Sequence, residues 1–458
     1  MTAEIAQKLL LNKVYKQIDL DPTRVLFRDF RFILQYAFPG EIKYDIKEEA
    51  ISEYERTAKI IELNNEYSCI LLTGARQVGK STLFKSIMEE LGISREVVTL
   101  DDFEERSLAK NDPAMFLQIH DTPLMIDEVQ YAPELFSYIK IAIDNGADPG
   151  SFWLTGSQTF RLMELAQESL AGRVAILRLP PLSQHEAYGT GENLPFSLDL
   201  NSLKSRKKTH TPATLNEIYE RIWKGSMPAL LSGKFSDRDI YYSSYLQTYI
   251  ERDVSELIKG VDKLVFQDFI RAAACRIGEV LNIHAMADDL GISDDTAKRW
   301  IRVLERSDVI TLLRPYRNNA LHRTIKTPKL YFFDTGLVAF LTKYSSPEIL
   351  ANGALSGHII ENYAIMEIIK SYINAAKEPL FWYYRDKDNK EVDMIIESDG
   401  VLHPIEIKRS VNPGTELIRA FNVLERSTVP KGVGGIICMR PDLSAINSEN
   451  LIIPIWYI

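Results

Sequence analysis

Residues 68–82 read SCILLTGARQVGKST. The short apolar run Cys69–Leu72 suits a buried strand. A loop bounded by Gly74 and Gly79 comes next, and Lys80 and Ser81 then open the helical pattern KSTLFKSIMEEL, which stops near Gly92. Strand, glycine loop and helix are the context that the spacing G-x-x-x-x-G-K-[ST] requires of a phosphate-binding loop. In that reading, Gly74, Ala75, Arg76, Gln77, Val78 and Gly79 turn backbone amides toward phosphate oxygens. The helix start at Lys80, Ser81 and Thr82 adds the positive end of a dipole. Lys80 would reach the β- and γ-phosphates and Ser81 would ligate Mg²⁺, so ATP and Mg²⁺ are the expected ligands.

Further along the chain, PLMIDE (residues 123–128) is an apolar strand ending in two carboxylates. Asp127 would hold the Mg²⁺ shell, and Glu128 would polarise an attacking water. FWLTGS brings Ser157, or alternatively Gln158, to the same edge; the serine either senses the terminal phosphate or caps a helix from Thr159. In QESLAGRVAILRL, Arg173 comes after a helix stop at Ala171-Gly172. It would act either as an arginine finger on a neighbouring subunit's nucleotide or as one half of an internal ion pair. Apolar strands near 68–73, 96–100, 123–127, 151–156 and 174–179 alternate with helical segments, which predicts a parallel α/β sheet. No G-x-G-x-x-G is present, so a dinucleotide site is not expected.

GARQVGKST, LMIDEVQ, WLTGSQ and SLAGR, in this order, resemble an AAA-type ATPase family of bacteria and archaea whose members usually carry a C-terminal domain of unknown function. The resemblance spans about residues 65–458 and implies Lys80, Ser81, Asp127, Glu128, Ser157 and Arg173 in the roles given above.

The length of 458 residues exceeds one core and suggests about three domains. No apolar run reaches the ~18 residues of a membrane span, and the N-terminus lacks signal-peptide patterning. Cys69, Cys275 and Cys438 are far apart in apolar surroundings, so a cytoplasmic protein with reduced thiols and no membrane partner is expected. A net charge of −9 excludes a uniformly basic nucleic-acid coat. The stretch 309–333, however, holds Arg314, Arg317, Arg323, Lys326 and Lys329 and no acid.

Residues 189–214 lack period and read as a loop, whose basic cluster Lys204–Lys208 suits a solvated surface. Helical patterns to about Gly260 suit a lid over the nucleotide, with Arg252 either sensing nucleotide or forming an ion pair. IHAMADDLGISDDTAKRWIRV (283–303) then sets two amphipathic helices about Gly291, with Ser293 as N-cap, before a strand, a basic loop and a second strand. That order is a winged helix-turn-helix. Lys298, Arg299, Arg314, Arg317 and Arg323 would track DNA phosphates, unless the module docks a protein instead.

EVDMIIESDGVLHPIEIKRS (391–410) has a preferred hairpin turn at Asp399-Gly400. Counting back from that turn sets Asp393 opposite Glu406 and Glu391 opposite Lys408. Opposed carboxylates repel unless a cation separates them. Upstream, Glu361 shares a helical stripe with Ala364, Ile365, Ile368 and Tyr372. Glu361, Asp393 and Glu406-x-Lys408 resemble the PD-(D/E)xK nuclease core, although Val392 stands where its proline would be. By that resemblance Glu361, Asp393 and Glu406 would bind Mg²⁺ and Lys408 would assist the nucleophile. A degenerate nuclease fold and an unrelated charged hairpin stay open. The expected organisation is a helical extension (1–65), an AAA-type core (66–188), a loop and lid (189–265), a winged helix (266–340) and a nuclease-like α/β domain (341–458). The chain could assemble with copies of itself.

Overall fold

The computed structural model describes residues 54–157, 159–188, 194–250, 254, 258, 262–317 and 325–458. The expected extension 1–65 therefore lies mostly outside the described residues, as do Gln158, Arg252 and Arg323.

Five strands, β1 (Cys69–Thr73), β2 (Glu96–Thr99), β3 (Leu124–Asp127), β4 (Phe152–Gly156) and β5 (Val174–Arg178), form a sheet in the order β2-β3-β4-β1-β5. Every pair is parallel, as the alternation of strands and helices predicts. β1 and β4 are buried at every position, because alternate side chains feed two separate cores. Cys69, Leu71, Ile126 and Leu154 meet Phe116, Leu135 and Phe136 on one face. Ile70, Leu72, Met125 and Trp153 meet Leu83, Phe84 and Ile87 on the other. Each such side chain contributes about 1.5–3 kcal/mol on burial. β1 lies between β4 and β5, so the loop that begins at Gly74 leaves a strand held on both sides.

Within the expected loop 189–214, Leu200–Thr209 is instead a helix. Asp199 caps it, accepting from the amides of Asn201 and Ser202 at 2.9 Å each. Its inward face is narrow. Leu203 and Arg206 are buried, which is too few positions to show as a period. Arg206 is thus not part of a solvated cluster; it donates to the Tyr457 carbonyl at 2.9 Å. The helices Leu215–Lys224, Pro228–Leu231 and Arg238–Tyr249 come next.

The helices Ile283–Leu290 and Asp294–Arg306 meet at Gly291, which takes the left-handed conformation (φ 62°), and Ser293 caps the second. β6 (Ile310–Pro315) and β7 (Lys329–Phe332) form an antiparallel pair. That pair does not stand apart from the C-terminal strands. Arg314 and Pro315 pair in parallel with Trp382 and Tyr383 of β8 (Leu380–Arg385). The sheet continues through β9 (Glu391–Ser398), β10 (Val401–Ile407), β11 (Gly434–Cys438), β13 (Asn450–Pro454) and β12 (Ser444–Asn447), eight strands in all. The divide expected at 340/341 therefore falls within one sheet. The long helix Ser356–Asn374 packs into the same core through Ile359, Ile360, Ala364, Ile365 and Ile368.

Asp399 and Gly400 both have positive φ (51° and 72°), as a two-residue hairpin turn requires. Ser398 pairs with Val401 and the ladder runs to Met394 with Ile405, the register the turn predicts. Beyond it, Asp393 replaces a ladder bond with its side chain, accepting from the Ile407 amide at 2.8 Å. Among the described residues, no helix is long and apolar enough to cross a membrane.

Leu203→Ala is expected to cost about 2–5 kcal/mol in urea denaturation, while the exposed Lys204→Ala stays within about 0.5 kcal/mol. Equal effects would mean that this segment does not pack as a helix.

Candidate functional site

The phosphate loop has the backbone its glycines allow. Gly74 and Gly79 have φ of 149° and 94°. A methyl group at Gly74 would lie 2.2 Å from the Leu179 carbonyl oxygen, so no other residue fits there. Ala75 and Val78 are buried, Gln77 and Thr82 are exposed, and Arg76 is half-buried. Lys80 is buried at the helix start. Its ammonium donates to the carbonyls of Gly74 at 3.1 Å and Ala75 at 2.8 Å.

Three segments deliver oxygens to one point beside it. Ser81 Oγ donates to Asp127 Oδ1 at 2.6 Å, and Thr155 Oγ1 of β4 donates to the same oxygen. A carboxylate with two hydroxyls is a donor set of the kind Mg²⁺ takes, together with phosphate oxygens and water. Glu128 lies in the left-handed region (φ 58°), a conformation that costs about 1–2 kcal/mol for a non-glycine residue. Gln130 Nε2 donates to Glu128 Oε2 and, at 3.3 Å, to Ser157 Oγ, and Ser157 Oγ donates to Glu128 Oε2 at 3.4 Å. Gly156 is needed here, since a methyl group would lie 2.3 Å from Gln130 Oε1. Lys80, Ser81, Asp127, Glu128 and Ser157 thus share one edge of the sheet. Thr155 and Gln130 were missed in sequence, although both stand in the quoted stretches WLTGSQ and LMIDEVQ.

Arg173 does not join them. It precedes β5, whose Val174 is level with Cys69, so it lies at the sheet edge opposite the phosphate loop, about 17 Å of strand away. There it pairs with Asp144 at 2.5 Å and donates to the Ala171 carbonyl at 3.1 Å. At the other end of β5, Arg178 is level with Thr73 and so stands at the nucleotide edge. It forms an ion pair with Asp308, just after the helix Asp294–Arg306, and lies 4.8 Å over the Phe333 ring.

A second route runs rearward from the loop. Pro228 Cγ would be 3.9 Å from a methyl group at Gly79. Two residues earlier, the Ser226 amide donates to Asp334 Oδ1 at 2.6 Å, and Lys370 Nζ donates to Ser226 Oγ at 3.2 Å. Lys370 also pairs with Glu367 at 3.0 Å, and Glu367 accepts from the Gln184 amide at 2.6 Å. Glu367, Lys370 and Gln184 are all buried.

In the rear half, Glu361, Asp393, Glu406 and Lys408 form one cluster. Lys408 Nζ lies 2.6 Å from Glu406 Oε1 and 3.4 Å from Asp393 Oδ2. Glu361 Oε1 instead accepts from Lys329 Nζ at 3.0 Å and Tyr331 Oη at 2.6 Å. Glu391 pairs with Lys329 and with Arg385 at 3.4 Å, not with Lys408. Burial, and then the charge of Asp393, push the Glu361 carboxyl up to about 7 and the Glu406 carboxyl up to about 8, against the pull of Lys329 and Lys408 respectively. Burial disfavours the charged form of Lys408, but Asp393 and Glu406 outweigh it and raise its pKa. Among the described residues, no group of three or more His, Cys, Asp or Glu side chains is placed to hold a metal. Asp393 and the buried, unpartnered Glu406 Oε2 suit a hard cation. Glu361, turned to Lys329 and Tyr331, does not. Lys329 is itself buried, so it leaves the surface basic stretch in which its sequence position placed it.

Residues 66–188 match the model of an AAA domain. Residues 215–348 and 356–458 match two domains of unknown function, DUF8612 and DUF4143. The uncharacterized proteins Rv2008c of Mycobacterium tuberculosis and Mb2031c of Mycobacterium bovis are each 26% identical over 368 residues, covering 79% of this chain and 75% of theirs. The Walker-type ATPase PABY2304 of Pyrococcus abyssi is 16% identical with a TM-score of 0.40, over 64% of this chain and 95% of its own. The RuvB Holliday junction branch migration motor of Thermotoga maritima is 18% identical with a TM-score of 0.27, over 57% and 89%. The front of the chain is thus a P-loop domain of the ATPase type.

The rear carboxyls carry a pH signature. Unfolded carboxylates lose their protons near pH ~4.3, whereas native Glu361 and Glu406 hold theirs to about 7 and about 8. The native state then binds more protons across that interval, so stability falls as pH rises through it. The urea midpoint is expected to drop between pH ~5 and ~8, and Glu406→Gln to flatten the slope. A slope unchanged by that substitution would contradict the assignment.

Proposed function

We propose that the chain binds and hydrolyses ATP and couples its nucleotide state to DNA held by its rear half, where the acidic cluster offers a site for Mg²⁺-dependent cleavage. The observation that carries the reading is the convergence of Ser81 and Thr155 on Asp127, with Lys80 buried in the adjoining loop and Glu128 held by Gln130. Lys80 would exchange its carbonyl partners for β- and γ-phosphate oxygens. Ser81 and Asp127 would hold Mg²⁺, which neutralises charge developing on the phosphates. Glu128, kept in place by Gln130, would accept a proton from water, and Ser157 would sense the terminal phosphate beside it. A carboxylate in that position suits water as the acceptor and disfavours a small-metabolite kinase.

Two contacts support coupling to the rear. The segment at Pro228 lies beside the phosphate loop and continues through Ser226 to Asp334 and Lys370, and Arg178 ties the nucleotide edge to Asp308. On the helix-turn-helix with its hairpin, read as a winged helix, Lys298, Arg299 and Arg302 are exposed along one helix and Arg314 and Arg317 on the hairpin strand and the residues after it. That row suits phosphate contacts, with little base reading. To serve a neighbouring copy's nucleotide in a homo-oligomer, Arg173 would have to give up Asp144 at the opposite edge. One observation favours a non-cutting switch instead: Glu361 is occupied by Lys329 and Tyr331.

Glu128→Gln is expected to bind ATP yet turn it over at least about 100-fold more slowly, and so to keep the ATP-bound DNA affinity while the parent relaxes. Turnover equal to the parent's would remove Glu128 from the chemistry, and one DNA affinity with and without ATP would contradict the coupling. Mg²⁺-dependent cleavage of DNA that Asp393→Ala abolishes would favour the cutting reading; its absence would favour the switch.

A further inference from the structure

Lys329 has no counterpart in the pattern Glu361, Asp393, Glu406-x-Lys408. β7 carries it in from the hairpin side, opposite Lys408. Its side chain is 2% exposed, and its ammonium donates to Glu361 Oε1 at 3.0 Å and pairs with Glu391 Oε1. Tyr331, two residues along the same strand, donates to that same Glu361 oxygen at 2.6 Å. Both contacts fall on one oxygen and fill its two lone pairs. The far side of the cluster is less complete: Glu406 Oε2 is buried with no hydrogen-bond partner. Removing Lys329 would leave both Glu361 and Glu391 without their ammonium partner, a deficit that a divalent cation suits.

An ammonium and a small hard cation ask the same thing of a carboxylate, lone pairs at short range, so they compete for one oxygen. We propose that Lys329 is a tethered cation that occupies Glu361 and keeps the rear cluster from taking a divalent metal. Lys329, and not Lys408, thereby decides whether the site is metal-loaded. The inference rests on the reading of the cluster as a cation site. It also ties the site to the hairpin, because Lys329 pairs with Leu313 of β6, next to the exposed Arg314. A hairpin drawn toward phosphate would draw Lys329 with it.

The test is Mn²⁺ binding to the full chain without nucleotide, read by electron paramagnetic resonance of the free ion. Lys329→Met is expected to bind at least about tenfold more tightly than the parent, a gain of about 1.4 kcal/mol. Lys329→Arg, which keeps the charge, is expected to show no gain, and adding Asp393→Asn to Lys329→Met to abolish it. If parent and Lys329→Met bind equally and Asp393→Asn weakens both, the plug is overturned and the cation site stands. If neither shows Asp393-dependent binding, both readings fall. Lys329→Met leaves Glu361 and Glu391 without their cation, so Lys329→Met with Glu391→Gln provides a less charged alternative with the same expectation. In the parent itself, an amine-reactive reagent read by peptide mass spectrometry is expected to spare Lys329 until millimolar Mn²⁺ displaces it. Protection unchanged at saturating Mn²⁺ would overturn the proposal without any substitution.

Discussion

The burial of one lysine in a tight loop constrains the front half. Lys80 is cut off from water, so its ammonium needs polar partners, and the carbonyls of Gly74 and Ala75 are what the loop offers it. The loop can take that shape only because Gly74 presses on the Leu179 carbonyl and Gly79 adopts a positive φ. β1, paired on both sides, fixes where the loop starts. β3 and β4 then bring Asp127, Glu128 and Thr155 to the same edge, since a parallel sheet aligns the C-terminal ends of its strands.

The contacts that leave this edge are polar and mostly buried, which limits how they can respond. A buried ion pair such as Glu367–Lys370 is tolerated only while its remaining hydrogen bonds are satisfied. Gln184, Leu182 and Ser226 supply those bonds from two other parts of the chain. Such a network has few alternative arrangements, so a displacement at Pro228 would pass to the helix Ser356–Asn374 as a step more than as a gradual drift. The pairing of β6 with β8 joins the hairpin to the rear sheet through two residues, Arg314 and Pro315.

Features written in local sequence were legible. The phosphate loop depends on six consecutive residues and their flanks, the five parallel strands appear as apolar runs, and the register of β9 and β10 is set by the turn at Asp399-Gly400. What needed distant partners was not. Lys329 belongs to a basic stretch by position, but Glu361 and Glu391, more than thirty residues away, decide that it is buried. Arg173 and Arg178 flank the same strand, and only the direction of β5 relative to β1 says which reaches the nucleotide edge. The helix Leu200–Thr209 turns so little surface inward that its period is invisible, and Arg206 finds its partner at Tyr457. Glu361 lies on a helix buried almost all round yet is itself not fully buried, so the expected stripe did not set it apart and could not name its counter-ion.

The most direct test of the account is equilibrium binding of ATP with Mg²⁺ to the full chain and to Lys80→Ala. The parent is expected to bind, and the variant to lose at least about tenfold in affinity, since a charge-assisted contact to the terminal phosphates disappears. Equal affinity would mean that the loop does not clasp a triphosphate, and the functional reading built on it would fail.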